Sequence, residues 1–187
     1  MARFFGELGA CVIDADKLAH KALTKTSPFY PRIAKRFPEA CDTEGKVNRK
    51  KLARLVFSNS RRRKELETLT HPYVFDQIRH KVDSAREAVV AIEVPLLYES
   101  GFDRLCHKTV AVSTPATRVA ERLKGKGYAW EEIEARQKAQ LPAKEKEKRS
   151  DFIVHNAGNY QQTRREVKKI WKSIRPVFQK EIMKDNG

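Results

Sequence analysis

The sequence predicts an α/β domain in which a parallel sheet is covered by helices on both faces and interrupted by an all-helical insertion. Three observations carry that expectation. Short, largely apolar runs at 10–13, 88–94, 108–112 and 152–154 alternate with stretches of helical periodicity, the pattern of strands buried on both faces. The stretch from about Lys17 to Arg86 is helical in spacing throughout and reads as an insertion between strands. The length, 187 residues, suits one domain with an insertion better than two domains.

The chain opens with Phe4, Phe5 and Leu8 on one side of a short helix, and Gly9 stands where a helix C-terminus favours a left-handed residue. Ala10-Cys11-Val12-Ile13 reads as a buried strand that delivers Asp14 and Asp16 at its C-terminal end, the edge where open α/β sheets bind ligands. Helices follow from Lys17 to about Leu23 and from Pro28 to Phe37. Leu52, Leu55 and Val56 form the apolar stripe of the next, and Asn59 or Ser60 caps one that runs through Leu66 and Leu69. His71-Pro72 is expected to interrupt that helix, with a further one over Val74, Ile78 and Val82. Ala88 to Val94 is too apolar for a one-sided strand and is expected at the centre of the sheet, stopped by Pro95.

Lys108 to Val112 is the next strand, and Thr114-Pro115 starts a helix through Val119, Ala120 and Leu123. After a break from Gly125 to Trp130, helical character resumes from Glu131 to Gln140. It stops at Leu141-Pro142, ahead of the charged run Lys144 to Arg149. Phe152-Ile153-Val154 is the last strand. The closing helix, from about Tyr160, aligns Val167, Ile170, Trp171, Ile174 and Phe178, with a kink or end expected at Pro176.

Composition narrows the function. Lysine and arginine total 39 against 24 acids, and the net charge of +15 attracts polyanions: nucleotides, phosphorylated metabolites, nucleic acid or acidic membrane. A hydrophobic share of 40% with only 8 Gly and 8 Pro excludes disordered and collagen-like chains. The apolar run Ala88 to Ile92 ends at Glu93, far short of the roughly 20 residues of a membrane span. The first residues lack the apolar core of a secretory signal. Cys11, Cys41 and Cys106 are odd in number and have no CxxC spacing, which points to a reducing, cytoplasmic compartment rather than a zinc site or a disulfide framework.

Asp14 and Asp16 are the strongest local feature, because carboxylates just past a buried strand hold Mg²⁺ or accept a proton from a hydroxyl. By strand alternation they face opposite ways. Two readings stand: one carboxylate points into a cleft, or one caps the next helix while the other is solvated. Tyr98 and Glu99, in Pro95-Leu96-Leu97-Tyr98-Glu99, belong to the same rim or to an ordinary solvated loop. Between Arg118 and Arg149, ten basic and six acidic residues make either a mobile lid whose cations close over phosphates or a salt-bridged exposed helix. The acid-free run from Lys46 to Lys64, with nine basic residues, binds a phosphorylated ligand or a nucleic-acid backbone, or stays solvated. His71 on its own reads as a helix-end or core histidine.

Six motifs in register, namely Val12-Ile13-Asp14-Ala15-Asp16, Thr70-His71-Pro72, Val94 to Glu99, Arg136 with Ala139-Gln140-Leu141-Pro142, Lys148-Arg149-Ser150-Asp151 and Asn156-Ala157-Gly158, together resemble the dephospho-coenzyme A kinases. The resemblance runs from near Ala2 to the closing helix. It implies a three-layer P-loop kinase fold with its core at about 1–16, 88–117 and 151–187, a helical coenzyme A-binding insertion at about 17–87 and a lid at about 118–150. It also implies phosphoryl transfer from ATP, with Mg²⁺, to the ribose 3′-hydroxyl of dephospho-coenzyme A. By the same resemblance Asp16 is the base, close to the metal, and Asp14 a weaker candidate. His71, Pro72, Leu97, Tyr98 and Glu99 line the acceptor site. Arg122, Lys124, Lys126, Arg136, Gln140 and Arg149 surround the lid and the phosphates, and Asn156 and Gly158 form the loop near adenine.

This sequence departs from the family pattern at three places. The strand and glycine loop ending in Gly-Lys-Ser/Thr, which precede the first helix in the family, are not among these residues, and the expectation is a chain shortened at its start. Gly45-Lys46 and Gly125-Lys126 do not replace that loop, since neither is followed by Ser or Thr. Lys126 stands near an expected Arg, and His155 stands where the family has Asp. Two other classes of function remain: a binder of coenzyme A-like ligands that transfers nothing, and a nucleic-acid-binding module, the latter ranked last for want of a stacking motif.

Overall fold

The computed structural model describes residues 1–125, 130–138 and 140–185. In chain order the elements are α1 (Ala2–Gly6), β1 (Cys11–Asp14), α2 (Ala15–Ala22), α3 (Tyr30–Arg36), α4 (Arg49–Ser58), α5 (Ser60–Asp83), β2 (Val90–Glu93), β3 (Val110–Ser113), α6 (Ala116–Lys124), α7 (Trp130–Lys138), α8 (Ala143–Arg149), β4 (Phe152–His155) and α9 (Tyr160–Asp185). Short 3₁₀ turns occupy Pro38–Ala40 and Phe102–Leu105. The chain divides into two units, one of Met1–Ile13, Ser84–Tyr128 and Gln140–Gly187, the other of Asp14–Asp83 and Ala129–Ala139.

In the first unit α1 ends as its sequence requires. Ala10 N–H donates to Phe5 O at 3.0 Å, and Gly9 turns the chain at φ 103°, a left-handed conformation that costs glycine no steric clash. One apolar cluster then gathers Phe5, Ala10, Val89, Val154, Val167, Ile170 and Ile174, with Phe4, Leu8, Ala91, Val110 and Phe152 packed against it. Val167, Ile170 and Ile174 recur at the three- and four-residue spacing that makes one face of α9. Each large apolar side chain buried there contributes on the order of 1.5–3 kcal/mol. The helix continues past Pro176 to Asp185, where a kink or end was the expectation.

The strands depart from the single sheet expected. β1 pairs with β2, and β3 pairs in parallel with β4 in the register Val110↔Phe152 to Ser113↔His155; among the described residues no ladder joins the two pairs. Val90, Ala91 and Ile92 are accordingly only part-buried, although their composition is that of a central strand, and Val112 is 43% exposed. The β3–β4 pair is clipped at its start by Asp151. Its Oδ2 accepts from Thr109 N–H at 2.8 Å and from Thr109 Oγ1 at 2.9 Å, and its Oδ1 accepts from Lys108 Nζ at 2.8 Å.

The second unit is helical apart from the carboxyl end of β1. α2 and α5 pack together, α4 packs on α5, and α7 packs on α4 through the fully buried Ile133. Ile33, Phe37, Ala40, Leu52 and Val56 form the core, flanked by Leu66 and Leu69. α5 is continuous through Pro72, contrary to the break expected there. Proline removes one ladder bond, but Val74 and Ile78 beyond it and Thr70 before it are all buried on the same helix, so packing holds the two halves in one rod. Thr70 Oγ1 donates back to Leu66 O at 2.9 Å, an interaction that accommodates local bending.

Asp151 makes a pH-dependent contribution. The Lys108 ammonium, followed by the Thr109 amide and hydroxyl, outweighs the opposing effect of burial and holds its carboxyl down to about 2. A carboxyl lowered on folding stabilises above its unfolded value of roughly 3.9, and that stabilisation disappears as pH falls towards about 2. Asp151→Asn is expected to destabilise by about 1–2 kcal/mol at pH 6, allowing for its solvent exposure, with the gap to wild type closing between pH 4 and 2. Urea melts at pH 6 and pH 2.5 measure this, and identical midpoints at pH 6 contradict it.

Candidate functional site

In the second unit, the Asp14–Asp16 pair is divided by the helix boundary. Asp14 is the N-cap of α2: its Oδ1 accepts Lys17 N–H at 3.0 Å, and Lys17 Nζ lies 3.3 Å from its Oδ2. Burial works to raise its carboxyl, yet the Lys17 amide and ammonium and the Asp16 amide outweigh it and lower the group. Strand alternation does not apply to Asp16, because the helix starts at Ala15. Asp16 sits exposed in the first turn of α2, where the helix dipole favours a carboxylate. Asp14 therefore takes the capping role, and Asp16 is the carboxylate presented on the surface.

His71 and Pro72 lie in mid-α5. The His71 ring stacks on Phe75, with centroids 5.5 Å apart. Burial lowers its pKa below the ordinary 6.5, weakly opposed by Glu67, so the imidazole is neutral at pH 7 and offers one donor and one acceptor. Arg136 belongs to α7, and its side chain lies outside the described ones.

The basic run is sorted by its partners. Arg62, with only 15% of its side chain exposed, stacks 4.4 Å above the Phe37 ring and is bound by Glu65 at 2.9 Å, by Glu39 and by Arg36 O. Arg61 and Arg63 pair with Glu65 and Glu67. Arg62 ties α5 to the end of α3 and the turn after it, Arg61 and Arg63 pair within α5, and Arg49, Lys50, Lys51 and Arg54 remain exposed.

In the first unit, residues from motifs about 50 positions apart converge. The Tyr98 ring is buried; its hydroxyl lies 2.7 Å from Ser150 Oγ, and the Arg149 guanidinium stacks 4.2 Å over it. Arg149 Nη2 also donates to Asp103 Oδ2 at 3.3 Å, while Asp103 Oδ1 is buried without a hydrogen-bond partner among the described residues. The pair is thus single-pronged rather than a closed fork. Arg149 is held in plane by an aromatic face and is still 45% exposed.

Glu99 Oε1 accepts Leu141 N–H at 2.6 Å and faces Lys146 Nζ at 3.4 Å; Lys146 Nζ also reaches Gln140 Oε1 at 2.9 Å. Glu99 and Gln140 are therefore bound to protein groups. Leu97 is half-buried, and its carbonyl receives Phe102 N–H and Ser100 Oγ.

The loop after β4 is tied on three sides. Asn156 N–H donates to Ser113 O at 2.7 Å, its Oδ1 accepts from the buried Thr163 hydroxyl at 3.2 Å, and its carbonyl accepts from Arg122 Nη2 at 3.3 Å. Asn159 and Gln162 form a reciprocal capping box at the start of α9. A Cβ at Gly158 collides with the Gln162 amide oxygen, so glycine there protects the cap. The backbone of Lys124 is in α6 but its side chain lies outside the described ones, and Lys126 lies outside the described residues altogether.

Lys146, Asp103 and Thr163 were not singled out by sequence reasoning. Lys146 is indistinguishable from its neighbours within the charged run, Asp103 meets an arginine 46 residues later, and Thr163 reaches back to Asn156 only once α9 has formed. Among the described residues no three His, Cys, Asp or Glu converge as a metal cage.

Parallel pairing of β3 with β4 among packed helices defines the class as an α/β protein. The family profile described as dephospho-CoA kinase matches residues 1–162. The chain belongs to the dephospho-CoA kinase family. It is 35% identical over 176 residues to the dephospho-CoA kinase of Aquifex aeolicus, covering 93% of this chain and 90% of that one. Against the enzyme of that name from Symbiobacterium thermophilum it is 37% identical over 172 residues, with 89% and 72% covered. A Thermus thermophilus crystal structure superposes with a TM-score of 0.81 at 32% identity, covering 92% of this chain and 88% of the other. The dephospho-CoA kinase from Campylobacter jejuni gives 0.61 at 31%, with 90% and 87% covered.

The environment of His71 is testable directly. Its NMR titration midpoint is expected below 6.5, and Glu67→Gln is expected to lower it further, since the Glu67 charge favours the imidazolium. A midpoint above 6.5, or an upward move in the variant, contradicts the burial account.

Proposed function

We propose that this chain serves the last step of coenzyme A biosynthesis, transferring the γ-phosphoryl group of ATP to the ribose 3′-hydroxyl of dephospho-CoA. The 3′-oxygen bonds to the γ-phosphorus, the bridging bond to the β-phosphate breaks, ADP leaves, and the hydroxyl proton passes to the Asp16 carboxylate. His71, Pro72, Leu97, Tyr98 and Glu99 are assigned to the acceptor side. Arg122, Lys124, Lys126, Arg136, Gln140 and Arg149 are assigned to the phosphates, and Asn156 and Gly158 to the adenine. The arrangement of Arg149 carries the reading: a guanidinium fixed in plane by Tyr98 and Asp103, yet accessible, suits the charge that develops on phosphoryl oxygens during transfer.

Mg²⁺ binds through one or two carboxylates completed by phosphate oxygens and water rather than by an all-protein cage, and one exposed Asp16 fits that donor set. Asp16 would be its protein ligand, and the ion would supply positive charge against the phosphate oxygens.

The β- and γ-phosphates need a cradle of backbone N–H groups with a lysine, and these 187 residues contain no Gly-Lys-Ser/Thr. The missing Gly-Lys-Ser/Thr also favours a second reading, a binder of coenzyme A-like ligands that does not transfer phosphate.

An ATP-consumption assay of the 187-residue chain beside one extended by the strand and loop decides between them. Turnover only in the extended chain is expected; full activity of the short form refutes the need for a Gly-Lys-Ser/Thr cradle, and calorimetric binding of dephospho-CoA with no turnover in either form supports the binder. In the active form, Asp16→Asn is expected to lower kcat by about 10²- to 10⁴-fold. An unchanged kcat removes Asp16 from the base role.

A further inference from the structure

We propose that Lys146 is a positioning residue for phosphoryl transfer, acting through Gln140 and Glu99; the role rests on the kinase reading above. Its Nζ meets three oxygens: Gln140 Oε1 at 2.9 Å, Pro95 O at 3.3 Å and Glu99 Oε1 at 3.4 Å. An ammonium carries three N–H donors and no acceptor, so these oxygens match its whole donor set. Glu99 Oε1 in turn takes Leu141 N–H at 2.6 Å. One cation thereby ties the Pro95–Glu99 loop after β2 to the Gln140-Leu141 segment that leads into α8.

Place and burial give that tie its consequence. The chain rejoins the first unit at Gln140, so the node sets the point from which α8 and Arg149 are launched. Side-chain exposures of 21% for Lys146 and 18% for Glu99 separate this pair from a solvated surface bridge, and removing one member leaves the other poorly solvated. Lys148, seated in the same charged run, differs: it is 72% exposed and pairs with Glu145 three residues away. With its donors engaged by protein oxygens, Lys146 does not act as a phosphate ligand. It holds Gln140 and Glu99 where the transfer needs them. Three converging oxygens suit a tetrahedral ammonium and not a planar guanidinium, which makes the position specific for lysine.

The test compares wild type with Lys146→Met and Lys146→Arg, by kinetics in whichever form of the chain turns over and by hydrogen exchange at the Leu141 amide in the 187-residue chain. Expected are a kcat lowered ~10- to 100-fold in both variants with the KM for dephospho-CoA within about threefold, and Leu141 exchange at least about 10-fold faster. A wild-type kcat in Lys146→Met, restoration by Arg, or unchanged Leu141 exchange overturns the proposal while leaving the kinase reading intact. Absence of turnover in every form of the unsubstituted chain overturns the kinase reading and with it the catalytic consequence; Leu141 exchange then still supports or refutes the tie itself.

Discussion

Two strand pairs that share no ladder among the described residues are held in one unit by apolar burial. Val89 and Ala91 come from one pair, Val110, Phe152 and Val154 from the other, and α1 and α9 close over them with Phe5, Val167, Ile170 and Ile174. Backbone hydrogen bonds usually set the geometry of a sheet; here that task falls to side-chain packing, which fixes volume better than register. The polar clips at the strand ends supply the register that packing cannot. Asp151 fastens β3 to β4 at the start, and Asn156 fastens them at the end through Ser113 O while tying the loop to α9 through Thr163. The loop assigned to adenine is a by-product of that second clip.

A charge of +15 describes attraction at a distance and says little about which cations meet a ligand. The structure sorts them by their partners. Arg62 is bound by two glutamates, a carbonyl and an aromatic face; Lys146 has three protein oxygens; Arg149 has one carboxylate oxygen and a ring. Only the last arrangement combines fixed orientation with access. A bidentate Asp103 would have closed Arg149 off, and a missing Asp103 would have left it swinging about the Tyr98 face.

Local signals in the sequence were legible wherever the responsible partner lies within a few residues. Gly9 ends α1, Asn59 caps α5 through Arg62 N–H, and the spacing of Val167, Ile170 and Ile174 draws the buried face of α9. The sequence misleads where tertiary packing overrides a local rule. Pro72 reads as a break, but buried residues on both sides of it keep α5 whole. Lys144 to Arg149 reads only as a charged run, yet Ala143–Arg149 is a helix that packs on β3. Asp14 and Asp16 read as an alternating pair until the helix is seen to start between them. The hub at Lys146 was beyond reach, since its meaning depends on Pro95 and Glu99, some 50 residues earlier.

The comparison of enzyme and binder turns on the difference between charge and geometry. Exposed lysines and arginines lower the energy of a bound polyphosphate wherever it sits, so they favour ground state and transition state nearly alike. Rate acceleration requires donors fixed where charge grows as the β,γ bridge breaks, and a loop of backbone N–H groups does this with little reorganisation. In the proposed reading, Arg149 on Tyr98 is one fixed donor of that kind, and Asp16 takes the proton. Neither orients the γ-phosphorus in line with an attacking oxygen. Within the proposed scheme, the helical unit and the arginine therefore account for recognition and charge stabilisation, while in-line alignment needs a cradle of backbone N–H groups.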